Sequence, residues 1–183
     1  LLNSILIEFQ KGDKKHAYTK LKEYINTYTK DSLAIYNYAY ISQHFNLTDI
    51  AIENYIKVTN LDKSNWQSRF NLYIIYIEQK KFKDALKLID EVLSLKIDYQ
   101  PALRDKALVL FYLNKQDVAL NLILKSLKLN SQDYIAINTL GLIYKALKEF
   151  KKANECFLKA INIQPKYFPS YNNLGYCLQQ LHD

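Results

Sequence analysis

The chain has 183 residues, of which 49% are hydrophobic, and a net charge of +7 at neutral pH. Three glycines and three prolines are too few for a disordered or turn-rich β chain, and the lack of any apolar run of 18 residues excludes a membrane span. The sequence therefore predicts an almost wholly helical protein without a membrane partner, which by default we place in the cytoplasm.

The positive charge comes almost entirely from lysine, because Arg69 and Arg104 are the only arginines. Lysine, asparagine, isoleucine and tyrosine are abundant together, which is typical of an AT-rich coding sequence. A nucleic-acid surface more often clusters arginine, whose planar head offers several donors. We therefore expect no nucleic-acid partner, and a basic RNA-binding surface stays a third alternative whose affinity would fall steeply with salt.

No group of residues predicts catalysis. Cys156 and Cys177 give neither a disulfide framework nor metal-ligand spacing, so both are interpreted as packing residues. His16, His44 and His182 have no adjacent nucleophile or metal-spaced partner, and no glycine-rich phosphate loop is present. We expect a protein that is not an enzyme and that has no cofactor and no metal site.

Alanines recur every 34 residues, at Ala17, Ala51, Ala85, Ala119 and Ala153. A period of 34 is typical of helix–turn–helix repeats that stack into a solenoid. With these alanines at position 20, the chain forms a single domain, 1–183, whose predicted repeats are 1–31 (incomplete), 32–65, 66–99, 100–133, 134–167 and the helix 168–183. Because the sequence begins and ends inside a repeat and lacks an initial methionine, we expect it to be part of a longer repeat protein.

Residues at the predicted helix ends agree with this division. Between the two helices of successive repeats, position 15 is Gly12, Asn46, Lys80, Asn114 and Lys148. Glycine and asparagine favour the left-handed conformation that ends a helix, and we expect the two lysines to make the same turn. The segments 31–32, 64–65 and 131–133 offer N-cap side chains. Proline marks one helix end and two first turns, at Pro165, Pro101 and Pro169.

One segment contains the residues of a known repeat motif. Residues 137–144 read Ile-Asn-Thr-Leu-Gly-Leu-Ile-Tyr, and Phe150, Ala153, Phe157, Ala160 and Pro165 follow. This pattern resembles the tetratricopeptide repeat (TPR), with Leu-Gly at positions 7 and 8, alanine at 20 and proline at 32. The next repeat begins in the same way at 171–175, whereas Arg69 and Lys106 depart from the pattern in earlier repeats. The resemblance implies an all-α, right-handed α-solenoid.

The resemblance also implies that the first helix of each repeat lines a concave groove. The inner wall is formed mostly by positions 2, 5, 6, 9, 12 and 13 of each first helix, and the residues at these positions make the groove aromatic and apolar, with amide side chains spaced along it. Its candidate peptide-binding residues are Tyr36, Asn37, Tyr40, Phe70, Asn71, Ile74, Arg104, Asp105, Leu108, Phe111, Tyr112, Asn138, Asn172 and Asn173.

Position 6 is asparagine in three of five repeats, at Asn37, Asn71 and Asn173, and differs at Asp105 and Thr139. A carboxamide can both donate to and accept from a peptide bond, so a row of asparagines can hold an extended chain of any sequence. The row is similar to the groove of the TPR region of O-linked GlcNAc transferase. Abundance of asparagine in this composition explains the row equally well.

A different TPR site, the carboxylate clamp for acidic chaperone C-termini, is not matched. Of its five positions only Asn71 agrees, and Asp105 would repel a carboxylate. The sequence therefore predicts a protein-interaction scaffold that binds an extended peptide or a partner helix in its groove. The alternative is the substrate-recruiting arm of a larger enzyme such as a glycosyl- or sulfotransferase.

Overall fold

The structure is a computed structural model that describes residues 1–182, so the end of the predicted element 168–183, Asp183, lies outside the described residues. The described residues form α-helices joined by short turns, without strands. In chain order the helices are α1 Leu2–Gln10, α2 Lys14–Thr27, α3 Ser32–His44, α4 Thr48–Leu61, α5 Trp66–Glu78, α6 Phe82–Leu95, α7 Gln100–Tyr112, α8 Gln116–Leu129, α9 Tyr134–Ala146, α10 Phe150–Ile163 and α11 Phe168–His182.

The chain divides into two compact units, an N-terminal unit that ends at Leu95 and a C-terminal unit that begins at Lys96. The N-terminal unit contains the helix pairs α1/α2, α3/α4 and α5/α6, and the C-terminal unit contains α7/α8 and α9/α10, with α11 packed against α10. Each pair lies within one 34-residue repeat. The assignment of residues 1–183 to a single domain stays a prediction.

Small residues allow the two helices of each pair to approach closely. All five alanines of the 34-residue row have no solvent exposure. At position 8, Ala39 and Ala107 are equally buried, and a Cβ added to Gly141 would lie only 2.5 Å from Cε1 of Phe157. Real Cβ atoms do not approach so closely, so the absence of a side chain at Gly141 gives the Phe157 ring its space.

The turn between the two helices of each repeat is made in the predicted way. All five residues at position 15 have positive φ, including Lys80 at 58° and Lys148 at 62°. Lysine has no special tolerance for this left-handed region, so the packing of the two helices imposes the turn even where the residue disfavours it.

Side-chain caps begin several helices. Asp31 accepts a hydrogen bond from the backbone N–H of Ala34 at 3.0 Å, and Asn65 accepts one from Ser68 at 2.9 Å. Asp133 accepts from two backbone N–H groups at the start of α9. Helix α7 lacks a side-chain cap and has Pro101 in its first turn instead.

The predicted all-α solenoid fold of paired helices is confirmed. Within residues 1–182, we find no helix with the length and apolarity to cross a membrane.

Candidate functional site

Helices α3 and α5 of the N-terminal unit enclose a groove of about 240 Å³. Its walls are Tyr40, Gln43 and His44 from α3 and Asn71 and Ile74 from α5, and we call it the Tyr40–Asn71 groove. Tyr40 is 40% exposed, and its ring stands edge-on to the His44 ring with ring centres 4.8 Å apart. Three predicted residues, Tyr40, Asn71 and Ile74, are therefore brought together at one opening.

A hydrogen-bond network fixes Asn71 at the base of this groove. Its Nδ2 donates to the hydroxyl of Tyr36 at 3.2 Å and to the hydroxyl of Tyr55 at 3.0 Å. The Tyr55 hydroxyl in turn donates to Oε1 of Gln43 at 3.1 Å. Both amide protons of Asn71 are therefore used, and its Oδ1 accepts no hydrogen bond from the described residues.

Burial keeps the two tyrosines of this network neutral. Burial raises the pKa of Tyr55, which has no solvent exposure, and burial also raises the pKa of the half-buried Tyr36. A protonated hydroxyl that accepts from Asn71 retains its own proton to donate. Tyr55 uses that proton on Gln43, and the proton of Tyr36 stays available for another acceptor.

Tyr55 was not predicted as part of the site. It occupies position 24 of its repeat, where the other repeats have leucine, isoleucine or phenylalanine. A tyrosine at a buried position that is otherwise apolar is a usable signal, because its hydroxyl needs a hydrogen-bond partner inside the protein.

The remaining predicted residues of the N-terminal unit lie outside this network. Nδ2 of Asn37 donates to the backbone carbonyl of Leu33 in its own helix at 2.8 Å. The half-buried ring of Phe70 stacks on Tyr73 with ring centres 5.7 Å apart. Asn37 and Asn71 share position 6, yet only Asn71 is held by tyrosine hydroxyls.

In the C-terminal unit, Arg104 and Asp105 belong to a compact ionic cluster. Nε of Arg104 donates to Asp105 at 2.7 Å, and Nη1 donates to Oδ2 of Asp133 at 3.1 Å. Gln100 donates to the same Oδ2 at 2.8 Å and to the Ser126 hydroxyl. We call these residues, Gln100, Arg104, Asp105, Ser126 and Asp133, the Arg104 cluster.

Burial acts differently on the two carboxylates of the Arg104 cluster. Asp105 is 9% exposed, and this burial raises its pKa despite the adjacent guanidinium of Arg104. Burial also pushes the pKa of Asp133 upward, but hydrogen bonds from Gln100 and Ala136 and the charge of Arg104 outweigh it and leave that pKa lowered. The pKa of Arg104 is raised, because its carboxylate partners outweigh its burial.

The other predicted residues of the C-terminal unit are dispersed. Tyr112 is 45% exposed beside Phe111, and Leu108 is half-buried. Asn138 is buried and accepts a hydrogen bond from the Ser170 hydroxyl at 2.9 Å. Asn172 is exposed, and Oδ1 of Asn173 accepts from Lys145 at 2.7 Å.

The described residues offer little reactive chemistry. Burial raises the pKa of the Cys156 thiol to about 11, so it is protonated at neutral pH. Cys177 is buried in the core between α10 and α11. No group of three or more histidine, cysteine or acidic side chains in residues 1–182 is arranged to hold a metal ion.

Five helix pairs with a 34-residue period, buried alanines at position 20 and left-handed turns at position 15 define a TPR protein. The sequence also matches the model of a family described as "Psidin, N-terminal TPR repeats region" over residues 70–183. Since the match covers more than half of the chain, this chain belongs to that family.

One curated relative is the N-terminal acetyltransferase A complex auxiliary subunit NAA15 of Arabidopsis thaliana. It is 26% identical over 114 residues, which amount to 62% of this chain. The match spans only 13% of the length of that relative.

Solved TPR structures share the fold. A tetratricopeptide repeat protein from Parabacteroides merdae superposes with a TM-score of 0.86 at 17% identity and covers 99% of this chain and 72% of its own. YrrB, described as a TPR protein with an unusual peptide-binding site, gives 0.70 at 18% identity over 88% of this chain and 84% of its own. The first TPR of Spaghetti (RPAP3), bound to the HSP90 peptide SRMEEVD, gives 0.60 at 20% identity over 67% and 97%.

Proposed function

We propose that this chain is a non-enzymatic scaffold that binds an extended peptide segment, or a helix, of a partner protein on its first helices. The observation that carries the proposal is Asn71, whose amide nitrogen is held by two tyrosine hydroxyls while its Oδ1 has no partner. A fixed acceptor that has no donor within the protein and lies beside an apolar opening is suited to a peptide N–H.

Asn71 in the groove and Tyr36 next to Asn71 offer polar groups that complement one peptide unit. Oδ1 of Asn71 accepts from a peptide N–H, and the hydroxyl of Tyr36 donates its remaining proton to a peptide carbonyl. Tyr40 and Ile74 then cover an apolar side chain of the ligand. Main-chain hydrogen bonds supply affinity and the apolar contact supplies selectivity.

Two structural neighbours support peptide binding as the general function, because RPAP3 is bound to a peptide and YrrB is described by its peptide-binding site. Only one of the five clamp positions for an acidic C-terminus, Asn71, is matched in this chain, so we propose an internal segment as ligand. The predicted residues outside the groove, and a location in the cytoplasm, stay predictions.

The test uses peptides selected from a random 12-residue phage-display library on the wild-type chain. Asn71→Ala combined with Tyr40→Ala is expected to weaken binding of a selected peptide by about tenfold or more, measured by fluorescence anisotropy. Circular dichroism checks that helicity is retained. Asn121→Ala, an exposed asparagine on α8, serves as the matched control. Equal affinity of the double variant and the control would show that the groove is not the binding site.

A second proposal, for the identity of the partner, is based on the curated relative. Because the similar protein from Arabidopsis thaliana is an auxiliary subunit of an N-terminal acetyltransferase complex, we propose that the partner is the catalytic subunit of such an enzyme. Co-expression with that catalytic subunit and size-exclusion chromatography provide the test. Separate elution of the two chains would reject this partner and leave the peptide-binding proposal standing. The glycosyl- or sulfotransferase alternative stays a prediction.

A further inference from the structure

One buried hydroxyl connects the amide side chains of Gln43 and Asn71. The Tyr55 hydroxyl accepts a hydrogen bond from Nδ2 of Asn71 at 3.0 Å and donates one to Oε1 of Gln43 at 3.1 Å. Both amides line the Tyr40–Asn71 groove, Gln43 from α3 and Asn71 from α5. Because a single oxygen atom separates the two bonded amide atoms, the two amides lie next to each other in the wall of the groove.

Tyr55 also fixes which end of each amide is free. A carboxamide that turns by half a turn about its last bond exchanges its donor for its acceptor. Here the hydroxyl holds Nδ2 of Asn71 and Oε1 of Gln43, which leaves Oδ1 of Asn71 as an acceptor and Nε2 of Gln43 as a donor. Among residues 1–182, neither of these two atoms has a hydrogen-bond partner. The groove therefore offers one donor beside one acceptor, and neither carries a formal charge.

The primary carboxamide of a ligand matches this pair. Its C=O and one of its N–H bonds point to the same edge, so it can accept from Gln43 and donate to Asn71 at once. The N–H and C=O of a trans peptide bond point in opposite directions, so a single main-chain bond does not present both to the pair. A carboxylate has no proton to donate, so it would place an oxygen against Oδ1 of Asn71.

We propose that the Tyr40–Asn71 groove selects a glutamine or asparagine side chain of the bound peptide, whose carboxamide pairs with Nε2 of Gln43 and Oδ1 of Asn71. This inference rests on the proposed function, because it names the side chain that the groove selects in a peptide ligand. Oδ1 of Asn71 has two lone pairs and accepts from this side chain and from the peptide N–H. Tyr40 and Ile74 line the same groove and cover the apolar part of the side chain. Tyr55 is a positioning residue, since it acts only through the two amides.

Two ionisable side chains near the pair determine the conditions of the test. Glu78 lies on the same face of α5 as Asn71, seven residues further on, and its negative charge opposes a carboxylate in the ligand. His44 lines the groove, and a positive charge on it would favour a carboxylate. Peptides are therefore selected and titrated at pH 8, so that a charge on His44 does not mask the preference for an amide.

The probes are 12-residue peptides selected from the random phage-display library on the wild-type chain. We expect glutamine or asparagine at one common position of the selected peptides. The peptide with the highest affinity is then synthesised with a fluorescent label, together with a version in which this glutamine or asparagine is replaced by glutamate or aspartate. Fluorescence anisotropy is expected to show that the acidic version binds more weakly by about tenfold or more, because Asn71 then has no donor.

Two variants of the chain test the donor and the positioning residue. Gln43→Glu keeps an acceptor for the Tyr55 hydroxyl but has no N–H to donate, and it should bind the amide peptide more weakly by about tenfold or more. Gln132→Glu, at an exposed glutamine of the C-terminal unit, makes the same charge change and should bind as wild type. Tyr55→Phe frees both amides to turn, so the ratio between the affinities of the amide and acidic peptides should fall to about threefold or less. A merely structural role of Tyr55 would weaken both peptides alike and leave this ratio unchanged.

Four results would overturn the inference. They are selected peptides that share no amide side chain, equal affinity of the amide and acidic peptides, equal binding by Gln43→Glu and Gln132→Glu, and an unchanged ratio in Tyr55→Phe. Peptides that bind without an amide preference, but are weakened by Asn71→Ala with Tyr40→Ala, would leave the proposed function standing. Failure to select any peptide that binds the wild-type chain would reject the proposed function and this inference with it.

Discussion

Asn71 and Asp105 occupy the same position of consecutive repeats, one in each compact unit, and their surroundings differ in kind. The amide of Asn71 is oriented by neutral tyrosine hydroxyls and keeps an acceptor without a partner. The carboxylate of Asp105 is buried and paired with Arg104. The same repeat position therefore holds an amide with an unpaired acceptor in one unit and a buried ion pair in the other.

The difference follows from the chemistry of the neighbours. Partial burial of a neutral amide costs little free energy if both of its N–H groups are hydrogen-bonded. Its oxygen can therefore stay without a partner in the protein. A buried carboxylate must be paired, because an isolated charge in a low-dielectric interior is costly. Asp105 is thus paired with Arg104, whereas Asn71 is hydrogen-bonded to neutral groups.

The largest effect is expected on breaking the Arg104 cluster. Arg104→Ala leaves Asp105 buried without its cation and should lower the free energy of unfolding by about 3 kcal/mol. Urea denaturation measures this change. Lys125→Ala removes an ion pair with Asp98 in which both side chains are more than half exposed and should change stability little. Equal effects of the two variants would mean that the cluster is not a structural element.

The pH dependence of stability should separate the two carboxylates of the cluster. The raised pKa of Asp105 stabilises the folded state at low pH, and this contribution is lost as pH rises from about 3.8, its ordinary pKa, through the raised value. Relative to Asp105→Asn, the wild type should therefore lose stability with rising pH.

The lowered pKa of Asp133 predicts the opposite slope relative to Asp133→Asn, with stability lost as pH falls. Urea denaturation from pH 3 to pH 7 measures both slopes, and parallel slopes would contradict the assignment.

A smaller effect is expected for the network that holds Asn71. Tyr55→Phe removes one acceptor for the Asn71 amide and the donor to Gln43, and should lower the free energy of unfolding by about 1–2 kcal/mol. Thermal unfolding measures the change, and Tyr28→Phe, at a half-exposed residue, is the control. An unchanged midpoint for Tyr55→Phe would indicate that Asn71 is not fixed by this hydroxyl.

The smallest effect should be the same in both units. Lys80→Gly and Lys148→Gly each replace a lysine of positive φ by a residue that tolerates this conformation. Each should raise the free energy of unfolding by up to about 1 kcal/mol. Lys87→Gly, within helix α6, should instead lower it. A loss of stability in either turn variant would show that the lysine side chain itself stabilises the turn.

The candidate site was predictable only in part. Inner-wall positions brought Tyr40, Asn71 and Ile74 into one list, and these three do line one groove. The same positions selected Asn138, which is buried, and Asp105, which is ion-paired. The position within a repeat specifies on which face of the helix a side chain lies. The accessibility of that side chain depends on distant neighbours, as Asn138 shows with Ser170, 32 residues away in the chain.

The sequence by itself determined the helix pairs, because a row of alanines every 34 residues and turn residues at fixed offsets act locally or between adjacent helices. Even the lysines at position 15 follow this rule. Only the tertiary structure decided which polar groups are already satisfied, since Tyr55 and Asn71, or Arg104 and Asp133, meet across different helices. The physical reason is that hydrogen bonding depends on distances of a few tenths of an ångström, which a repeat pattern does not specify.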